Sequence, residues 1–145
     1  PESSATRAVS YTTPWDTILA RQAQVLAVEG SRDLLDALKQ AAARANGLRA
    51  INTQHRDLFR RPLTPQALSG CDAVIFDPPR AGAKAQAAAL AESAVPRVIA
   101  ISCNPDTFAR DARLLADGGY RLTELRPVGQ FLWSHHLELA ALFEK

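Results

Sequence analysis

A doubly wound α/β fold, a Rossmann-like parallel sheet closed by a C-terminal antiparallel strand pair, is what this sequence predicts. Two observations carry the prediction. Short apolar runs alternate with amphipathic helical stretches along most of the chain, the pattern of parallel strands joined by helices on both faces. The series then closes on two strand-like runs, at Arg121–Arg126 and Leu137–Phe143. With 145 residues the chain suits a single domain, 1–145, in which about two-thirds of the surface of the unfolded chain becomes buried.

Taken in order, Ala5–Tyr11 reads as a first strand and Trp15–Gln24 as the helix after it, with an unusual connection, Thr12-Thr-Pro-Trp, between them. Strands follow at Val25–Glu29, Ala50–Arg56, Ala73–Asp77 and Val98–Ser102. The helix Ser31–Asn46 opens on a serine cap and stops at Gly47, and Ala83–Ser93 is helical by its alanine content. Asp106–Ala116 is a helix introduced by Asn104 and Pro105, where the missing proline N–H costs nothing. In a sheet of this topology ligands sit at the carboxyl ends of the strands.

Composition narrows the chemistry. The net charge is only +2, so charge alone does not announce a nucleic-acid binder. Arginine still supplies most of the positive charge, with Arg56, Arg60 and Arg61 clustered, and its planar fork suits phosphate. Cys71 and Cys103 stand far apart, with no secretory leader or long apolar span before them. That argues against a disulfide framework or structural zinc, and the expected compartment is the reducing cytoplasm, without membrane association.

The strand ends carry the candidate site. Cys103 follows the apolar run Arg97-Val-Ile-Ala-Ile-Ser and precedes a helix N-terminus, whose partial positive charge favours the thiolate, the form of cysteine that acts as nucleophile. For an isolated cysteine the plainer reading is a small apolar residue ending a core strand. Glu29 stands where an acidic side chain commonly accepts hydrogen bonds from a ribose, or it caps the next helix with Ser31. Asp57, after the following strand, has the same two readings. Asp77-Pro-Pro-Arg80 is rigid and extended, because two prolines continue neither sheet nor helix. It suits a wall that holds a flat base beside a cofactor, or a structural turn. His136 and Glu138 share one face of the last strand, where a carboxylate near a nucleophile serves as general base and an edge strand shows a polar face.

Together, Asp77-Pro-Pro-Arg-Ala-Gly, Ile101-Ser-Cys-Asn-Pro-Asp-Thr-Phe-Ala-Arg-Asp and Gln130-Phe-Leu-Trp-Ser-His-His-Leu-Glu resemble the catalytic domain of the RNA 5-methyluridine methyltransferases, which modify uracil in tRNA and 23S rRNA. The likeness runs from about Leu19 to the end and includes Val25-Leu-Ala-Val-Glu-Gly-Ser and Arg56-Asp-Leu-Phe. It implies a class I S-adenosylmethionine-dependent methyltransferase fold, S-adenosylmethionine as cofactor, RNA as partner and no metal in this chain. It also implies that Cys103 adds to C6 of uracil, that C5 then takes the methyl group, and that Glu138 removes the C5 proton. By the same resemblance Glu29, Asp57 and Asp77 bind the cofactor, while Pro78, Arg80, Asn104 and His136 contact the substrate base, which is flipped from its stack.

The chain departs from that family in three places. The glycine-rich turn after the first strand is replaced by Tyr11-Thr-Thr-Pro-Trp-Asp-Thr-Ile, so residues 1–18 form an atypical first strand and loop. Gly129 stands where an aspartate is usual, and the upstream RNA-binding portion of full-length members is not seen, as expected of a domain cut from a longer protein. A catalytically silent or truncated RNA-binding domain on the same fold is the alternative reading. An amino-group methyltransferase using Asp77-Pro-Pro is a third, although that chemistry needs no cysteine.

Overall fold

The computed structural model describes residues 6–11, 13–129 and 137–145. Among these described residues seven strands form one sheet: β1 (Arg7–Ser10), β2 (Gln24–Glu29), β3 (Ile51–His55), β4 (Ala73–Phe76), β5 (Arg97–Ser102), β6 (Arg121–Gly129) and β7 (Leu137–Glu144). Four helices connect them: α1 (Thr13–Leu19), α2 (Arg32–Arg44), α3 (Lys84–Ala91) and α4 (Pro105–Asp117). The strand order is β3-β2-β1-β4-β5-β7-β6, parallel from β3 to β5 and antiparallel on either side of β7. The predicted closing pair is therefore present, with β7 inserted between β5 and β6.

Alternation along the strands sorts the two faces. Val9, Val74, Val98 and Phe143 share one face through the ladders, and each is at most 1% exposed. Helix α4 packs there, its Phe108 ring 6.3 Å from Phe143, and α3 lies against α4. Gly118 makes that contact close, since a Cβ on it would fall 2.5 Å from Ala91. On the opposite face α1 and α2 cover β1, β2 and β3. Burying both faces explains why the parallel strands are near-continuous apolar runs.

Several boundaries differ from the sequence expectation, each for a physical reason. Helix α2 starts after its Ser31 cap and ends at Arg44, where Ala45 turns to extended backbone, so Gly47 (φ 75°) serves the following turn and not the helix end. Helix α1 stops at Leu19, earlier than predicted, because the chain folds back by turn bonds from Gln22 N–H and Ala23 N–H to Leu19 O before β2 begins at Gln24. Strand β6 continues through Pro127 to Gly129, which its place at the sheet edge permits. No helix crosses from β3 to β4. The loop buries Leu63 and Leu68 instead, and the amide of buried Gln86 brackets Leu63, accepting from its N–H at 2.8 Å and donating to its carbonyl at 3.1 Å.

Candidate active site

The carboxyl edge of the sheet assembles its polar residues by register. Ser10 pairs with Ala27 and Ile75, Ile75 with Ile99, and Ile99 with Leu142, so these residues share the face opposite Phe143. Counting by twos from them along each strand reaches Glu29, Asp77, Cys103 and Glu138. The last registered pair of β5 and β7 is Ser102 with Leu139, and one step beyond it lie Cys103 and Glu138. Asp77 is their neighbour on the next strand. Burial, and after it the Glu138 charge, holds the Asp77 carboxyl above the usual carboxylate range.

Beside these groups lies a cavity of about 450 Å³, lined by Glu29, Asp57, Phe59, Asp77, Pro78 and Ala83 among others, large enough for a nucleoside-sized ligand. Glu29 ends β2 with one carboxylate oxygen accepting from Ser31 N–H at 2.8 Å, so it is both held by the cap and presented to the cavity. Asp57 accepts from Phe59 and Arg60 N–H at 3.0 and 3.3 Å, which folds the Asp57–Arg61 turn along the rim. Phe59 is 56% exposed there, an aromatic ring beside an opening lined by carboxylates.

The Cys103 side is built by α4. Asn104 caps the helix, its side-chain oxygen accepting from Asp106 N–H at 3.1 Å, with Pro105 in the first turn. Ser102 brackets Cys103: its hydroxyl accepts from Asn104 N–H and donates to Asn104 O, each at 3.1 Å. The half-buried Cys103 is thereby carried on a backbone that its own side chain does not need. The Asn104 amide also donates to Arg80 O at 3.0 Å, tying the Cys103 turn to the segment after Asp77-Pro-Pro.

Tyr11 lines the cavity, and burial pushes its phenol up. Asp16 of α1 is 0% exposed, and neither of its carboxylate oxygens meets a hydrogen-bond partner among the described residues; burial, together with the Glu29 charge and against the lowering influence of nearby Ser10, raises its pKa to about 6. Because the folded state holds this proton more tightly than the unfolded chain, stability falls as pH rises from about 4 to about 6, and the penalty persists above that. Asp16→Asn is expected to raise the unfolding midpoint at pH 8, by about 1–2 kcal/mol of stability, and to change nothing at pH 3.5. Thermal melts of both proteins across that range check this.

The comparisons meet this geometry. Residues 23–145 match the tRNA (uracil-5-)-methyltransferase family. The chain belongs to that family. It is 52% identical over 127 residues to an uncharacterized RNA methyltransferase of Agrobacterium fabrum, covering 88% of this chain and 30% of that protein. It is 37% identical over 124 residues to the 23S rRNA (uracil(1939)-C(5))-methyltransferase of Alteromonas naphthalenivorans, covering 85% of this chain and 26% of that protein. The chain thus spans less than a third of the length of these relatives. Among solved structures, the Pyrococcus abyssi tRNA (uracil-54, C5)-methyltransferase in complex with S-adenosyl-L-homocysteine superposes with a TM-score of 0.78 at 25% identity, covering 96% of this chain and 33% of that one. The fold is that of the class I methyltransferases.

Within this family member the residues singled out from the sequence fall into two groups. Glu29, Asp57, Asp77 and Pro78 line the cavity; Cys103, Asn104 and Glu138 stand at the adjoining strand ends. Arg80 is exposed, and its carbonyl is what the structure uses. His136 lies outside the described residues, as does the whole segment Gln130–His136. Among the described residues no helix is long and apolar enough to cross a membrane, and no group of three or more His, Cys, Asp or Glu side chains is placed to hold a metal ion. Sequence reasoning passed over Ser102, Thr107 and Asp111, whose contacts fix the loop and turn on which the others sit.

Proposed function

We propose that this chain methylates C5 of a uridine in tRNA or 23S rRNA, using S-adenosylmethionine and a covalent bond between Cys103 and C6 of the base. The observation that carries the reading is the convergence of Cys103, Glu138 and Asp77 on one face of the sheet's carboxyl edge, beside a nucleoside-sized cavity flanked by Glu29. The cavity's acidic lining suits a cationic sulfonium. When bound, the cofactor supplies an electrophilic methyl carbon.

The residues then divide the work. Glu29 keeps one carboxylate oxygen on Ser31 N–H and would offer the other to the cofactor's ribose hydroxyls; Asp57, Phe59 and Asp77 line the same cavity and would hold the rest of the cofactor. Pro78, Arg80, Asn104 and His136 form the uracil side. The Cys103 thiolate adds to C6 and pushes electron density onto C5 and the O4 oxygen, which makes C5 a nucleophile. After C5 is methylated, Glu138 takes the C5 proton, the C5–C6 double bond re-forms and the C6–S bond breaks. Exposed Arg60, Arg61 and Arg80 meet the RNA phosphates, and the reaction belongs in the cytoplasm with the RNA.

A silent domain is the second reading, and the replaced turn at Tyr11–Asp16 favours it. Calorimetric titration with S-adenosylmethionine separates the two. Micromolar affinity, weakened about tenfold or more in Glu29→Ala through loss of a charge-assisted hydrogen-bonding pair, is the expected result. An absence of heat at millimolar cofactor would sink the proposal in favour of the silent domain.

A further inference from the structure

We infer that Asp111 is a positioning residue for the methyl transfer, setting the distance between the cofactor wall and Cys103; the inference rests on the reaction proposed above. Asp111 lies in α4 near Phe108, Ala112 and Leu115, on the side of the helix that packs into the core, and is 3% exposed. An apolar residue there would serve packing at no cost in desolvation, so a carboxylate needs a reason. The reason is its partners. One oxygen accepts from Ala83 N–H at 2.6 Å, the other from Arg110 Nε at 2.9 Å. Ala83 is the N-cap residue of α3 and has no side-chain cap of its own. Asp111 supplies the anion at that helix start from a different helix, which favours it electrostatically and fixes the register of α3 on α4.

The same face of α4 holds the whole tract before Ala83. Arg110 Nη2 donates to Ala81 O at 3.0 Å, and Asn104 Nδ2 and Thr107 Oγ1 both donate to Arg80 O at 3.0 Å. Gly82 (φ +77°) fits beneath them, and a Cβ there would lie 2.5 Å from Arg110 Nη2 and 2.7 Å from Asp111 Oδ2. The tract's other side is the cavity wall, Asp77, Pro78, Pro79, Gly82 and Ala83. Cys103 is one residue before the α4 cap. One helix therefore follows directly on the nucleophile, which stands just before its cap, and grips the wall that faces the methyl donor. Bond formation requires reacting atoms about 3–3.5 Å apart, and a misplacement of about 1 Å costs roughly 100-fold in rate.

The test is steady-state methyl transfer to a uridine-containing tRNA or 23S rRNA transcript by wild type, Asp111→Ala, Asp111→Asn and Thr107→Ala, alongside thermal melts and cofactor titrations. For Asp111→Ala, kcat should fall about 100-fold while KM for S-adenosylmethionine moves no more than about threefold, because geometry and not ground-state binding is lost. Asp111→Asn keeps an oxygen for Ala83 N–H and should recover about tenfold of that loss, a graded rescue that simple destabilisation does not produce. Thr107→Ala removes one of the two donors on Arg80 O and should lower kcat about fivefold. A folded Asp111→Ala protein with wild-type kcat overturns the inference, as does a rise in KM that accounts for the whole loss in kcat/KM. Should Asp111→Ala fail to fold, an unchanged kcat in Thr107→Ala overturns it equally. Wild type that binds cofactor yet turns over no transcript refutes the underlying reaction, and the inference with it; that outcome is recognised by the missing wild-type rate.

Discussion

Cys103→Ala is expected to lose methyl transfer by at least about 10⁴-fold, about 5.5 kcal/mol of transition-state stabilisation, and to form no covalent RNA adduct. C5 of uracil does not attack a methyl donor unless charge is first pushed onto it, and in the proposed reaction the Cys103 thiolate does so. Removing it leaves the cofactor cavity untouched, because Cys103 is not among the residues that line it. The fold should also persist within about 0.5 kcal/mol: the side chain lies outside the buried core, and the Ser102 hydroxyl, not the thiol, holds the turn. Cofactor affinity is therefore the internal control. Labelled-methyl transfer to RNA and mass spectrometry of a denaturation-resistant protein–RNA species measure the two losses. Turnover above about 1% of wild type, with intact cofactor binding, would remove Cys103 from the mechanism and favour amino-group transfer through Asp77-Pro-Pro.

Local chemistry made parts of this site legible in the sequence. A proline pair ends a strand wherever it stands, so Asp77-Pro-Pro after Ala73–Phe76 had to place a carboxylate at a strand end. Asn104 and Pro105 announce a helix start by their own backbone preferences, and that start lies one residue after Cys103. What stayed hidden depends on partners far along the chain. The insertion of β7 between β5 and β6, which brings Glu138 to Cys103, is a pairing across dozens of residues and leaves no mark on either strand alone. The loop that replaces a helix between β3 and β4 is held by Gln86, an alanine-rich helix's one polar residue facing inward. Asp111 reads as one more charge on an amphipathic helix, and only its contact with Ala83, 28 positions away, shows otherwise. Asp16 is similar: helical spacing gives no sign that this carboxylate is fully buried within reach of the Glu29 charge.

Glu138→Gln should separate the two halves of the reaction, with turnover slowed about 10³-fold while the covalent adduct still forms. The amide matches the carboxylate in shape but takes no proton, so the base carrying both the methyl group and the Cys103 sulfur has no route to re-form its double bond. RNA bound covalently to the protein then accumulates, the opposite of what Cys103→Ala produces. The substitution also removes a negative charge that helps to raise the Asp77 pKa, so Asp77 should ionise at lower pH in this variant than in wild type, although burial, the larger cause, remains. Asp77 is the neighbouring carboxylate that could stand in as base, which makes residual turnover in Glu138→Gln informative: it should rise with pH as Asp77 ionises and vanish in the double variant with Asp77→Asn. Gel-shift detection of the adduct after denaturation, followed over time beside turnover, reads both effects. If Glu138→Gln slows adduct formation as much as turnover, Glu138 acts before the covalent step, on the Cys103 thiol across the β5–β7 ladder, and proton removal from C5 belongs to another group.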